Sequence, residues 1–425
     1  MRRLDVLIAG GGSAGLAAAI ASARAGARTL LVERHGALGG MATAALVHSI
    51  CGLYLLRNEP EAVPAHPGFP REFAEALLAD GGATGPVRFG RVDLLLHQPV
   101  AFARLADRLT MAEPNLEVLF HTEIIDARGD GVRLREAELF CRGVRQRVEA
   151  AAFVDATGDA LLSLMAGEEC ETAPVLQRPA YIFSIGGVAI RGAELDGDGR
   201  MRLARRIVAG IRSGTLPEGL LGAQFRPTPR HGEIFVTLDL NDPPGGPPFD
   251  PASPASLTAL ERYGRELAGE LVRFLVAERK AFQSAFIAAY PTRVGIRESR
   301  RVVGRARIET EDLLGGATFP DAVALSTWPI EMRERATGPR FRFPEENRPC
   351  EIPLGALRAR CHGNLFLAGR CLSASHGAQA ALRVIGTALA TGEAAGFAAA
   401  LAARGTEPAA SGIGALRESL MSSPS

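Results

Sequence analysis

Lysine is almost absent from this chain. Lys280 is the single example, so arginine supplies nearly all of the 48 basic residues that stand against 47 acidic ones. A formal charge of +1 leaves no field of one sign, which argues against a nucleic-acid or anionic-membrane partner. The arginine bias follows more simply from a GC-rich coding sequence than from function. The six cysteines, Cys51, Cys141, Cys170, Cys350, Cys361 and Cys371, make no CxxC pair and no zinc-like spacing. That pattern argues against a disulfide framework, a zinc site or an iron–sulfur cluster, and suits free thiols in a reducing cytoplasm.

Long apolar runs are also few. Residues 1–23 imitate a secretory leader, with two arginines ahead of an apolar stretch, but three adjacent glycines inside it argue against cleavage. The stretch 385–403 is apolar, yet it is Ala/Gly-rich and interrupted by Glu393, which fits a buried helix better than a membrane span. What remains is a globular composition, 47% hydrophobic and 22% charged, in 425 residues, enough for two or three domains.

An apolar strand over 4–9 leads through glycines into an Ala-rich helix over 13–25, and a second buried strand follows over 29–33. This is a β-α-β unit in about thirty residues. Helical spacing recurs over 70–80 and 100–111, with Gly- and Pro-marked chain between. Short runs over 117–120, 123–127, 132–140, 144–148 and 151–154 predict a small antiparallel meander ahead of a last strand. Strands over 181–190 and 232–240, with helices near 201–212 and 256–280, mark a different middle region. The expected fold is α/β. A Rossmann-like cofactor domain lies in two parts, 1–169 and 291–405, around a mixed α+β substrate domain over 170–290, with a frayed tail over 406–425.

Gly10, Gly12 and Gly15, with Ser13 and Ala14, spell GxGxxG between the first strand and helix. Gly10 suits the tight turn, Gly12 lets backbone approach a pyrophosphate, and Gly15 lets helix and strand pack closely. The phosphates then face free N–H groups at the positive end of the helix. Glu33 ends the second strand, where a carboxylate accepts both ribose hydroxyls and disfavours a 2′-phosphate. Arg34 follows, then a second glycine pair, Gly39 and Gly40, with Met41, Ala42 and Thr43. That second turn would let backbone pass close to a long extended ligand, which FAD requires and NAD alone does not.

On these residues the chain resembles the FAD-dependent oxidoreductases of the glutathione-reductase-type fold, and more narrowly a bacterial group known only by that general activity. The likeness is clear in four stretches: 10–43; the turn Asp155-Ala156-Thr157-Gly158-Asp159; 293–304, with Arg297, Glu298, Arg300 and Arg301; and 365–376, continuing through Ile385, Gly386 and Thr387. The resemblance implies that 156–159 lie near the adenosine half, Ile124 by the adenine, and Gly369 and Arg370 near the phosphates and ribitol. It also implies a helix from Ile385 aiming its N-terminus at the flavin, where its dipole stabilises negative charge on the reduced ring.

Two residues are candidates for chemistry. His376 could take a proton while hydride leaves a substrate, or merely hydrogen-bond flavin or backbone. Arg297 could offer a guanidinium fork to a substrate carboxylate, or fasten the domains through ion pairs, the role that suits Arg300 and Arg301. His48, Cys51, Tyr54 and Trp328 are expected near the pocket. One dinucleotide fingerprint alone is present, so the expected function is hydride transfer from a small organic substrate to FAD, with O2 or another carrier as acceptor. The alternatives are an NAD(P)H-fed monooxygenase or ene-type reductase, and an assembly or RNA-modification protein in which FAD is structural.

Overall fold

The computed structural model describes residues 2–189, 195, 197–278, 280–336 and 338–422. The first strand, Arg2–Ala9, passes through the glycine turn into the helix Ser13–Arg24 and returns as Thr29–Val32, parallel to the first. Leu116–Leu119 extends this sheet on one side and Val144–Asp155 on the other, both parallel. Leu365–Leu367 closes the parallel set against residues 153–155.

Val144–Asp155 is 12 residues long and serves two patterns. Its first half pairs antiparallel with Leu134–Cys141, which pairs in turn with Glu123–Gly129; its second half lies in the parallel sheet. The runs at 144–148 and 151–154 are therefore one strand rather than two, since no glycine or proline stands between them to break it. Asn364 fills the gap where the antiparallel neighbour stops and Leu365–Leu367 begins. Its amide oxygen accepts from the Leu134 N–H at 2.9 Å, and its NH2 donates to the carbonyls of Leu134 and Ala151 at 2.8 Å each. Three backbone groups that neither strand satisfies are paired in this way.

The first helix is buried along nearly its whole length against the apolar helix Ile385–Ala403. Their approach depends on missing side chains: a Cβ on Gly392 would lie 2.1 Å from the Ala14 carbonyl oxygen, and one on Gly396 2.3 Å from that of Ala18. Ile385–Ala403 is the one helix among the described residues long and apolar enough to cross a membrane, and it is spent here as a core element.

The middle of the chain forms a four-stranded antiparallel sheet in the order Gln224–Pro227, Ile234–Asp239, Ala180–Gly186, Phe286–Ala289. Helices Gly197–Arg212 and Pro254–Glu278 share with it an apolar cluster distinct from that of the parallel sheet. The strand expected over 181–190 ends at Gly186, and Ile190 lies outside the described residues.

Two segments differ from expectation. The Gly- and Pro-marked chain after the second helix is a hairpin, Ala83–Phe89 and Val92–His97, and its second strand is wholly buried. Pro86 is tolerated because it falls at a register shift between Thr84 and Val87. Within the tail expected to be frayed, Ala410–Ser422 is a helix, and 423–425 lie outside the described residues. Ile413 is buried, and Arg417 donates to Glu393 at 2.8 Å and to the Val323 carbonyl at 3.2 Å. These two anchors stand four residues apart on one helix face, within a composition that suggested disorder.

Candidate active site

A cavity of about 430 Å³ extends between the glycine turn and the face of the middle sheet. At the turn its wall is formed by Gly10, Gly12, Ser13, Ala14, Glu33, Arg34, Gly40 and Met41. Ile124, Ala156, Thr157, Gly158, Gly369, Arg370 and Ile385 join them from later in the chain. The remaining residues expected here stand behind this wall. Thr43 donates its hydroxyl to the Leu38 carbonyl at 2.8 Å, Ala42 is fully buried, and the Gly386 N–H donates to the Cys51 carbonyl at 2.8 Å. Thr387 is buried against Gly52, and Asp159 accepts from Arg370 and, at 2.8 Å, from Ser299. Gly15 packs so tightly that a Cβ there would lie 1.8 Å from the Gly10 carbonyl oxygen.

The turn suits a diphosphate. A Cβ on Gly12 would meet nothing nearer than the Cα of Gly40, at 4.0 Å, so this backbone alone of the three is open to an approaching group. The Gly39 N–H donates to the Gly11 carbonyl at 2.8 Å and so joins the second glycine turn to the first. Glu33 is buried, its oxygens accepting from the Gly11 N–H at 2.7 Å and the His35 N–H at 2.8 Å. Each oxygen keeps an acceptor position for a ribose hydroxyl. Arg34, Arg293 and Arg370 gather beside them. Arg370 is committed to Asp159 and to the carbonyls of Gly158 and Ile296. Arg293 has no hydrogen-bond partner among the described residues, and burial together with Arg34 and Arg370 pulls its guanidinium down to about 10. Asp159 and Glu33 act on it from a distance, but a wall cation with no carboxylate hydrogen-bonded to it among the described residues suits an anionic ligand. Arg293 opens one of the stretches that carry the family resemblance, and its position there is the one signal that could have singled it out.

Further along, the wall is formed by His48, Cys51, Phe89, Arg226, Arg297, Trp328, Glu331, Arg333 and Arg383. His48 stacks on Phe235 with ring centroids 4.4 Å apart and donates its Nδ1–H to the Leu46 carbonyl at 3.2 Å. Burial pushes its pKa down to about 3, so the ring is neutral. Burial pushes the Cys51 thiol up to about 12, which keeps it from acting as a thiolate. Tyr54 is buried and does not line the cavity, and Lys280 is exposed on a short 3-10 turn away from it.

Arg297 stands in the wall, but its guanidinium is engaged: it donates to Asp239 at 2.7 Å and to the Arg178 carbonyl at 2.6 Å. Arg333 bridges Asp239 and Glu331, at 2.6 Å each, and the Trp328 indole N–H donates to Glu331 at 2.9 Å. Burial alone would raise Glu331, but Arg333 and Arg383 outweigh it and hold the carboxyl down at about 2. The network ties the middle sheet, through Asp239, to the two segments that carry Arg297 and 331–333.

His376 lies neither on a loop nor in the cavity wall. It opens a short helix, His376–Leu382, with Nδ1 2.8 Å from Glu298 and Nε2 3.4 Å from Glu334. The hydrogen bond to Glu298 raises its pKa. Glu298 also accepts from Arg301 and from the Gln177 N–H at 3.1 Å, and the Gln177 side-chain oxygen accepts from Arg383 at 3.3 Å. His376 is therefore linked to the cavity wall through Glu298 and Gln177, and from there to Arg383 and, by way of Gln379, to the Arg297 carbonyl.

Several solved structures align along most of the chain at low similarity. A geranylgeranyl bacteriochlorophyll reductase-like protein from Thermoplasma acidophilum is 12% identical with a TM-score of 0.47, over 99% of this chain and 83% of that one. OxyS anhydrotetracycline hydroxylase from Streptomyces rimosus is 14% identical with a TM-score of 0.48, over 98% of this chain and 65% of that one. The p-nitrophenol 4-monooxygenase PnpA from Pseudomonas putida DLL-E4 is 12% identical with a TM-score of 0.44, over 99% and 81%. Likenesses of this strength say nothing about substrate or reaction. No curated protein matches the sequence. The sequence profile described as FAD dependent oxidoreductase, in contrast, matches residues 5–420. With nearly its whole length so matched, the chain belongs to the FAD dependent oxidoreductase family, and FAD is its cofactor.

Proposed function

We propose that the chain oxidises a small organic substrate, with O2 or another carrier taking up the electrons afterwards. The observation that carries this reading is the continuity of the cavity, which joins the dinucleotide-type turn to a polar chamber walled by the middle sheet. FAD supplies a two-electron hydride acceptor when bound.

In this reading the Gly12 backbone and Arg293 receive the diphosphate, Glu33 the ribose and Ile124 the adenine, while 156–158, Gly369, Arg370, Met41 and Ile385 border the remainder. The middle segment, 170–290, closes the chamber and holds the substrate. Arg297 keeps the chamber wall in place through Asp239 rather than touching substrate. His376 is a positioning residue, fixing Glu298 and through it Gln177 and Arg383. His48 and Cys51 leave the wall between them uncharged.

Anaerobic mixing of the FAD-loaded protein with amines, hydroxy acids and cyclic alkenes tests the reading, with loss of flavin absorbance as the expected result. Rapid bleaching by NAD(P)H alone, with none from these donors, would overturn it in favour of a monooxygenase or ene-type reductase. Absence of bleaching by either set would instead assign FAD a structural part.

A further inference from the structure

The chamber carries more positive charge than its own acids neutralise. Four guanidiniums, of Arg226, Arg297, Arg333 and Arg383, line it. Two carboxylates, Asp239 and Glu331, face them, and all four of their oxygens are taken. Asp239 accepts from Arg297 and Arg333, and Glu331 from Arg333 and Trp328. Among the described residues Arg383 donates to neutral oxygens, the Gln177 amide and the Glu331 carbonyl. Arg226 has no hydrogen-bond or carboxylate partner among the described residues. It projects from the edge strand Gln224–Pro227 over the ring of Phe89, 4.3 Å from the centroid, and Arg200 stands 4.8 Å from the same centroid. A contact with a ring face engages the charge of a guanidinium without giving its N–H donors an acceptor, so they remain available to another group.

This charge is separate from that of the cofactor end. The ionisable neighbours of Arg226 include Arg200, His48, Cys51, Arg333 and Glu331, whereas those of Arg293 include Arg34, His35, Arg370, Asp159, Glu33 and Glu261. No residue is common to the two sets, so the diphosphate that suits Arg293 does not account for Arg226. Burying a cation without a counter-ion is costly, and a ligand that brings the anion relieves the cost. The rest of the chamber wall near Arg226 includes Val92, Leu94, Trp328 and Phe341, which suit an apolar body.

We infer that Arg226 is the anion-recognition residue of this chamber and that its ligand is a compact carboxylate with an apolar body. The inference rests on the proposal that the chamber is the substrate site. It moves the carboxylate fork from Arg297, which the ion-pair network occupies, to Arg226, which no hydrogen-bond acceptor among the described residues occupies.

The test uses FAD-loaded wild type, Arg226→Gln and Arg226→Lys. Each is titrated with benzoate, phenylacetate, the two matching amides and inorganic phosphate, following the flavin spectrum and the fluorescence of Trp328. Trp328 is the one tryptophan in the chain and lies in the chamber wall, so its emission reports the site directly. At least one acid is expected to bind saturably, with its amide about tenfold or more weaker, as for loss of a hydrogen bond to a charged group. Arg226→Gln should lose the same factor for the acid and nothing for the amide. Arg226→Lys, which keeps the charge without the fork, should fall between, and it serves for the comparison if the glutamine variant does not retain FAD. Equal binding of acid and amide, phosphate binding as tight as the acids, unchanged acid affinity in a variant with normal FAD content, or no saturable binding of either acid would each overturn the inference. Binding is read here without turnover. Bleaching by organic donors alongside an indifferent Arg226 sinks only this inference, whereas anion binding without bleaching by any donor sinks only the proposed reaction.

Discussion

Gly12 and Gly15 stand three residues apart in one turn, yet alanine at each should separate cofactor binding from folding. Gly12 has φ −66° and ψ −179°, an extended backbone that alanine adopts freely, and its Cβ would enter open space. Stiffening the unfolded chain should then stabilise the apoprotein by about 0.4–1 kcal/mol. With an unfolding entropy of roughly 0.9 kcal/mol per degree for a chain this long, Tm should rise by about one degree at most. The same methyl stands where a diphosphate must approach. Loss of one charge-assisted hydrogen bond, at about 1.5–3 kcal/mol, would weaken FAD binding by roughly ten- to a hundredfold or slightly more. Gly15→Ala is different in kind. Its Cβ would lie 1.8 Å from the Gly10 carbonyl oxygen, a backbone atom that cannot swing aside. Overpacking against backbone should cost a few kcal/mol, with or without FAD. Titration calorimetry of FAD into apoprotein, paired with melting curves at several FAD concentrations, reads both effects. The reasoning fails if Gly12→Ala binds FAD as wild type does, or if its apoprotein melts as early as that of Gly15→Ala.

Three further predictions concern stability. Burial holds His48, His66 and His97 neutral, at about 3, about 4 and about 4. Below about 6.5 the unfolded chain takes up protons that these folded imidazoles refuse, so stability should fall from there towards pH 4 by up to about 1.4 kcal/mol per pH unit per histidine. His376 works in the opposite direction, because its raised pKa makes its contribution complete below about 6.5 and lost as pH rises through the folded value. Equal urea midpoints at pH 7.5 and 5.0 would contradict the histidine argument. Asn364→Ala strands the two buried backbone groups of Leu134 at about 1–3 kcal/mol each, while the Ala151 carbonyl keeps Arg133 at 3.2 Å, and should lower Tm by roughly 2 °C or more; a shift under one degree would mean that water or a neighbour replaces the amide. Arg417→Met leaves the buried Glu393 carboxylate with the Phe69 N–H at 2.6 Å as its remaining partner. Limited proteolysis should then release Ala410–Ser422 early, and wild-type resistance would show that Ile413 alone docks the helix.

The parts of the site legible in the sequence are those that act locally. Gly10–Gly15, Glu33 and the second glycine pair each answer a mechanical demand of backbone passing close to a ligand, and such demands leave a mark on neighbouring residues. The chamber leaves none. Arg226, Asp239, Arg297, Glu331, Arg333 and Arg383 come together from five separate segments, and only topology sets their partners. Arg297 could be read as fork or fastener because the deciding residue, Asp239, is 58 positions away. His376 looked exposed to the flavin by its nearness in sequence to Gly369 and Arg370, but the short helix it opens faces it to Glu298 and Glu334. The β-α-β unit and the buried helix Ile385–Ala403 are legible because period and punctuation agree there. Of the expected meander the antiparallel pairing holds from Glu123–Gly129 into the first half of Val144–Asp155, whereas the run at 117–120 is a parallel strand of the main sheet, and the hairpin at 83–97 is hidden by its proline.

The pairing of the glycine turn with distant chain has a consequence for biosynthesis. Leu365–Leu367 completes the sheet that begins at Arg2, Gly369 joins the wall begun by Gly10, and Gly392 and Gly396 seat the first helix. On the ribosome, the glycine turn and the first helix must wait for synthesis of Leu365 to Gly396 before their site is whole, and contacts of such long sequence separation form slowly. Flavin capture thus acts as a receipt for synthesis through residue 396, and a chain released or clipped short of it should emerge colourless.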